Sequence, residues 1–286
     1  MRFTITHSTR YRYARPAWLE PHVIRVRPRS DGAQSLRDFR VRVQPRPVGW
    51  AECLDLDGNA AAKAWFDGLT AMLTVSTTCT VETRRTNPFD FLLEPWAAIV
   101  PLQPTGELER ALAPYRHRSH PDDSVTAFAA SVLRDADNQT VSFLSTLVRR
   151  IAERCRPMVR LEGDPLPPRV TLSEGAGACR DLAVLFIDAC RAVGLPARFV
   201  SGYYGGPIEA ERRYLHAWAE VFLPGAGWRG FDPLQGLAVA DRHIAVAAAA
   251  HFSAAAPISG TLRGGSSTTT LDVDLHIEVL DDGEAR

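Results

Sequence analysis

The chain of 286 residues reads as an α+β fold: an antiparallel β module first, then a helical stretch that leads into a second antiparallel sheet. Three observations carry that reading. Residues 1–86 alternate apolar and polar side chains with period two, the strand signature. A Pro-rich stretch, 95–104, ends that pattern, and a helical period follows it. From Arg198 onward, short strand-like runs return.

In the first module, Phe3 and Ile5 alternate with Thr4 and Thr6. Ile24 and Val26 alternate with Arg25 and Arg27, and Phe39, Val41 and Val43 with Arg40 and Arg42. Asp57-Gly58-Asn59 and Asp67-Gly68 are hairpin turn signals; an Asp55-to-Asn59 calcium loop is disfavoured because its liganding Glu is missing. Helices are expected over 105–113, 123–135 and 139–155; in the third, Val141, Leu144, Val148 and Ile151 share a face. Residues 157–178 read as a Pro- and Gly-rich loop. A helix starts at Cys179 and closes at Gly194, with Pro196 beyond it. Strands follow at 198–203, 216–223, 228–232 and 271–280. The expected organisation is a β-rich domain at 1–86, a linker at 87–104 and a catalytic domain at 105–286.

Charge and cysteines narrow the function classes. Lys plus Arg equals Asp plus Glu, 33 each, so a globally basic nucleic-acid binder is not expected. Residues 1–50 are strongly basic and residues 271–286 acidic, which suggests that Arg25, Arg27, Arg40 and Arg42 dock the C-terminal strand. Five cysteines without a C-x-x-C pair argue against a disulfide framework or a zinc ribbon. The polar start and the lack of a long apolar span point to a reduced, cytoplasmic protein without a membrane partner.

Three segments carry chemistry: Gly177-Ala178-Cys179-Arg180-Asp181, His216-Ala217-Trp218-Ala219-Glu220, and Gly227-Trp228-Arg229-Gly230-Phe231-Asp232-Pro233. A cysteine at a helix start meets free N–H groups that favour its thiolate. If Pro224-Gly225 centres the turn between the last two segments, His216 faces residue 233, and one bulge brings Asp232 to its ring. Asp232 would then set the tautomer of His216, the base for Cys179. Trp218, Asp181 and Tyr203 are candidates for binding substrate or shielding the site, although Asp181 more simply steadies the first helical turn. Glu220 is expected to pair with an arginine, and Cys53, Cys79, Cys155 and Cys190 to be structural. His243, His251 and His276 have no metal-ligand spacing.

These segments, with Leu195-Pro196-Ala197-Arg198 and Ser201-Gly202-Tyr203 between them, resemble the transglutaminase-like, papain-like cysteine superfamily. Tyr11-x-Tyr13, Arg27-Pro28-Arg29 and Asp57-Gly58-Asn59 resemble the β-rich N-terminal region that accompanies it in a bacterial subfamily. The resemblance implies a papain-like helix-plus-sheet domain and a Cys179, His216, Asp232 triad, with no cofactor and no metal. Two departures stand near the expected cleft: Ala249-Ala250-His251-Phe252 where the subfamily has Gly-Arg-Asp-Tyr, and Asp232-Pro233-Leu234-Gln235 where it has Asp-Pro-Thr-Asn. The expected activity is acyl transfer from a peptide, protein or small amide, to water in a peptidase or amidase, or to an amine in transamidation. Two other readings stay open, a non-catalytic binding scaffold and a metal site on Cys179, His216 and Asp232.

Overall fold

The computed structural model describes residues 1–207, 213–263 and 268–280. Its first region is built on one long strand, β1 (Arg2–Leu19). The strands β2 (His22–Ile24), β3 (Gln34–Gln44), β4 (Gly49–Leu54), β5 (Ala60–Trp65) and β6 (Leu69–Thr83) follow. β6 lies along one edge of β1 and β3 lies beyond it, while β2, β5 and β4 form a smaller sheet with Ile258–Ser259. The alternation puts Phe3, Ile5, Val75, Cys79 and Val81 inside.

The helices are α1 (Gly106–Arg116), α2 (Asp123–Asp135), α3 (Thr140–Arg154), α4 (Pro168–Glu174) and α5 (Cys179–Ala192). Leu144, Leu147, Val148 and Ile151 of α3 are buried against Leu182, Leu185, Phe186 and Ala189 of α5. Each such Leu or Phe contributes about 1.5–3 kcal/mol. α4 lies inside the stretch expected to be loop. Pro167 and Pro168 open it and Gly175, at φ 59°, closes it, so the Pro and Gly punctuate a short helix.

The second sheet contains β7 (Ala197–Tyr204), β8 (His216–Leu223), β9 (Gly227–Asp232) and β10 (His243–Ala249), in the order Leu237–Ala238, β9, β8, β7, β10. Ala217, Ala219, Val221 and Leu223 of β8 join the helical core. Side chains of the first region cap the free edge of β10. The Gln34 amide donates to Ala245 O at 2.9 Å, and Asn59 Nδ2 donates to Ala248 O at 2.8 Å. Asp55 organises the Asp57-Gly58-Asn59 turn by accepting from the backbone N–H of Asp57 and Asn59.

Two expectations need correction. The C-terminal strand, β11 (Thr269–Leu280), docks on the first region by pairing antiparallel with β1 from Arg2↔Leu280 to Tyr13↔Thr269. The span 105–286 therefore runs too far for a separate catalytic domain, and a cut at 87–105 would leave two pieces still joined by this ladder. β1 has two edges to fill and β6 fills only one; period-two alternation does not say which edge a later strand will join.

The arginines expected to hold β11 do not do so. Arg25 pairs with Asp55 at 2.9 Å and is only 13% exposed, Arg27 stacks over Phe39, and Arg40 lies 3.6 Å from Asp38. Arg40 and Arg42 are exposed on β3, separated from β11 by β6 and β1. Backbone pairing seats β11, and the exposed ion pair Arg10–Asp272 at 3.3 Å adds to it. Among the described residues no helix is long and apolar enough to cross a membrane.

Candidate active site

Cys179 is the first residue of α5. The carboxylate of Asp181 fixes this helix start by accepting from Ala178 N at 2.8 Å. It also accepts from Leu166 N at 2.8 Å and from Arg160 at 2.5 Å. Asp181 is 1% exposed, so it positions the helix start and the preceding loop and does not face substrate. Gly177 is small for the same reason, since a Cβ there would lie 2.9 Å from Asp181 Cβ.

His216 opens β8 and Asp232 closes β9. The hairpin register is Leu223↔Gly227 through Ala219↔Phe231, one residue off the expected pairing. The turn holds Pro224, Gly225 and Ala226, and both Gly225 and Gly227 take positive φ. In this register Asp232 continues opposite Trp218, on the His216 face, and no bulge is needed. His216 Nε2 meets Asp232 Oδ2 at 2.6 Å. Cys179 stands beside the same imidazole and helps to raise its pKa, and Nδ1 is the ring nitrogen that Asp232 leaves free. Thus Cys179, His216 and Asp232 are brought together, from a helix and two strands.

The structure adds a residue that sequence reasoning missed. His243, at the head of β10, places Nε2 2.8 Å from the same Asp232 Oδ2. Asp232 Oδ1 accepts from the backbone N–H of Leu234 and Gln235. An ionised carboxylate only accepts, so both histidines present Nε2–H to it. Burial opposes the charge on Asp232, but His216 and His243 outweigh it and hold its pKa well below the usual carboxylate range. Burial also opposes a charge on His216; the Asp232 carboxylate and Cys179 overcome it and raise its pKa to about 10. For His243, burial dominates and lowers the pKa, so this ring is neutral and its buried Nδ1 has no partner. A sequence cue existed: like His216, His243 heads a buried apolar strand.

Trp218 is 1% exposed, with its ring centroid 6.0 Å from His216 and 5.2 Å from His243. It screens both imidazoles without lining the cleft. Gly202 makes room for it, because a Cβ there would lie 2.6 Å from the indole and 2.2 Å from Ile244 O. Tyr203 is not at the site. Its buried hydroxyl pairs with His7 Nδ1 at 3.1 Å, among Phe3, Ile5 and Ile244. The neighbouring Tyr204 lines the cleft instead, 5.7 Å from His216 and 4.9 Å from His243 between ring centroids. Neighbours in a strand face opposite ways, which the motif alone does not resolve.

Cys179 and His216 lie in a cleft of about 680 Å³. Leu234, Gln235 and Phe252, from the two segments that depart from the bacterial subfamily's pattern, line it too. Glu220 lies outside it, paired with Arg198 at 2.6 Å and Arg29 at 3.3 Å. Among the described residues, His216, Asp232 and His243 form a donor set that could hold a metal ion, and an ion would have to displace both histidine–carboxylate hydrogen bonds. The other four cysteines are free, with Cys79, Cys155 and Cys190 buried and Cys53 exposed.

Residues 3–82 match the bacterial transglutaminase-like N-terminal region, and residues 126–233 match the transglutaminase-like superfamily. The crystal structure of a candidate cysteine protease from Cytophaga hutchinsonii shares the fold, with a TM-score of 0.74 at 21% identity over 98% of this chain and 92% of that one. The uncharacterised protein ML0607 of Mycobacterium leprae is 24% identical over 97% of this chain and 98% of its own length. A protein-glutamine gamma-glutamyltransferase of Pseudomonas aeruginosa is 38% identical over 65 residues, 20% of this chain and 10% of that protein.

Proposed function

The chain belongs to the transglutaminase-like superfamily, and on that premise we propose that it is a cysteine-dependent acyl-transfer enzyme acting on amide bonds. One observation carries the reading. Asp232 binds one nitrogen of His216 at 2.6 Å, and Cys179 lines the same cleft beside that ring.

In this mechanism Cys179 and His216 form a thiolate–imidazolium pair, with the proton at Nδ1 and the charge of the ring stabilised by Asp232. The thiolate attacks the amide carbonyl carbon, forming the C–S bond. The backbone N–H of Cys179, at the free start of α5, donates to the oxyanion. His216 returns its proton to the leaving amine as the C–N bond breaks. An acceptor then gives up a proton to His216 and attacks the thioester. Water as acceptor yields the acid, and an amine yields a new amide. Hydrolysis is the favoured outcome, because water is always present.

His243 acts as a positioning residue: its neutral ring donates to Asp232 and keeps the carboxylate aimed at His216. The substrates are peptides, proteins or small amides, with neither nucleic acid nor membrane as partner, in line with the zero net charge. Five free cysteines favour a reducing, cytoplasmic setting.

Alkylation by iodoacetamide at pH 6, read by mass spectrometry, tests the nucleophile. Cys179 should label well before the exposed Cys53, and should slow in His216→Ala. Faster labelling at Cys53 removes the nucleophile from the proposal.

A further inference from the structure

The cleft has walls from both regions of the molecule. We propose that the N-terminal sheet forms the far wall of the acyl-donor site, and that this wall selects an amide donor carrying an apolar side chain. The proposal rests on the acyl-transfer reading of Cys179.

The inner face of β1 changes its work along its length. Phe3 and Ile5 are buried against Tyr203, Ile244 and Val246 of the second sheet. Further on, Tyr13 is buried with Leu19, Ile24 and Leu73 inside the first region. Between them Thr9 and Tyr11 line the cleft that holds Cys179. In the ladder Tyr11 pairs with Leu271 and Thr9 with Val273, so the four residues share one face. All four line the cleft, and Tyr11, Leu271 and Val273 are only half-buried. The sheet is packed on either side of this patch and open at it.

The facing loop presents Met158, Val159 and Leu161, which are 44%, 69% and 42% exposed. Their exposure does not come from a loose backbone. Met158 N donates to Gly177 O at 2.9 Å, and Asp181 binds both Arg160 and Leu166 N. Exposed apolar residues on a loop tied to the Cys179 helix are the mark of a ligand groove.

The guanidinium ends of the rim arginines already donate to this chain's own groups. Arg180 donates to the carbonyls of Arg160 and Glu162, and Arg160 to the carbonyls of Glu162 and Asp164 as well as to Asp181. Arg213 donates to the carbonyls of Tyr204 and Gly206, and Glu162 accepts from Leu271 N at 3.3 Å. Each wall therefore offers a donor side chain an apolar patch, Tyr11, Leu271 and Val273 on one and Met158, Val159 and Leu161 on the other. An extended peptide whose apolar side chain lies between β1–β11 and the 158–161 loop places its amide at Cys179.

Three probes of the form acetyl-X-Gly-chloromethyl ketone, with X as Leu, Glu or Lys, test this. Each alkylates a thiolate with loss of chloride, so the rate at Cys179 reads the cleft without requiring turnover. The Leu probe should react at least roughly tenfold faster than the Glu and Lys probes. Leu271→Ala should shrink that advantage. Val273→Glu should speed the Lys probe above its wild-type rate, a gain that misfolding cannot produce. If iodoacetamide labels Cys179 while the three probes react equally, or if both variants keep the wild-type preference, the wall is wrong and the nucleophile stands. A Cys179 that resists iodoacetamide overturns the acyl-transfer reading and the wall together.

Discussion

Two carboxylates on neighbouring strands of the second sheet, the part-buried Glu220 and the buried Asp232, show how similar packing serves different ends. Each is flanked by two nitrogen-bearing side chains. Glu220 has Arg198 and Arg29; Asp232 has His216 and His243. In both cases burial opposes ionisation, and the flanking groups reverse it and lower the pKa. The difference lies in the partners. A guanidinium holds its proton throughout the working pH range, so the Glu220 cluster can only hold β7 and β8 to Arg29 of the first region. An imidazole can take and return a proton, so the Asp232 cluster can do chemistry. The partner, more than the carboxylate, separates a seam from a site.

The largest expected effect follows directly. Asp232→Asn should lower turnover by about 10³–10⁴-fold, because it presents the wrong group to His216. Glu220→Gln should leave turnover per folded molecule within a few-fold while costing about 3 kcal/mol of stability, because it strands Arg198. Steady-state kinetics and urea unfolding on both variants decide it; equal losses of turnover would erase the distinction.

The pH response should separate the clusters next. His216 titrates at about 10 when folded, above its unfolded value near 6.5. Its stabilising contribution is therefore complete below about pH 6.5 and is lost as pH climbs toward 10. His243 is shifted the other way, mainly by burial, so it weakens the fold as pH falls below about 6.5. The Glu220 cluster is flat over this window. Thermal unfolding between about pH 7 and pH 10 should show wild type losing stability where His216→Gln changes less.

A smaller effect is expected at the second histidine. His243→Ala should reduce kcat by about tenfold with little change in KM, and His243→Gln, which keeps an N–H donor, should recover part of it. A shift in KM alone would make His243 a packing residue. The smallest effect belongs to the exposed arginines of β3. Arg40→Glu with Arg42→Glu should move stability by no more than about 0.5 kcal/mol, since neither touches β11. A larger loss in urea unfolding would restore them as a docking face.

The amino-acid sequence by itself determined a good deal here. Period-two and helical alternation sufficed for α2 at Asp123–Asp135 and for the strand from His216 to Leu223, because local periodicity is set by which face must be buried. The motifs around Cys179, His216 and Asp232 were legible because each stands at the end of an element, where a turn signal marks it. Tertiary structure decided what depends on contact between distant segments. The Pro224–Ala226 turn set the hairpin register that puts Asp232 on the His216 face without a bulge. Strand direction made Tyr204, not Tyr203, the cleft residue. His243 joined Asp232 only because β10 lies beside β7, and β11 joined the first region through the edge of β1 that β6 leaves open. Alternation fixes which side of a strand is buried, but strand order and register are long-range choices, made by whichever edges and faces remain open when the chain closes on itself.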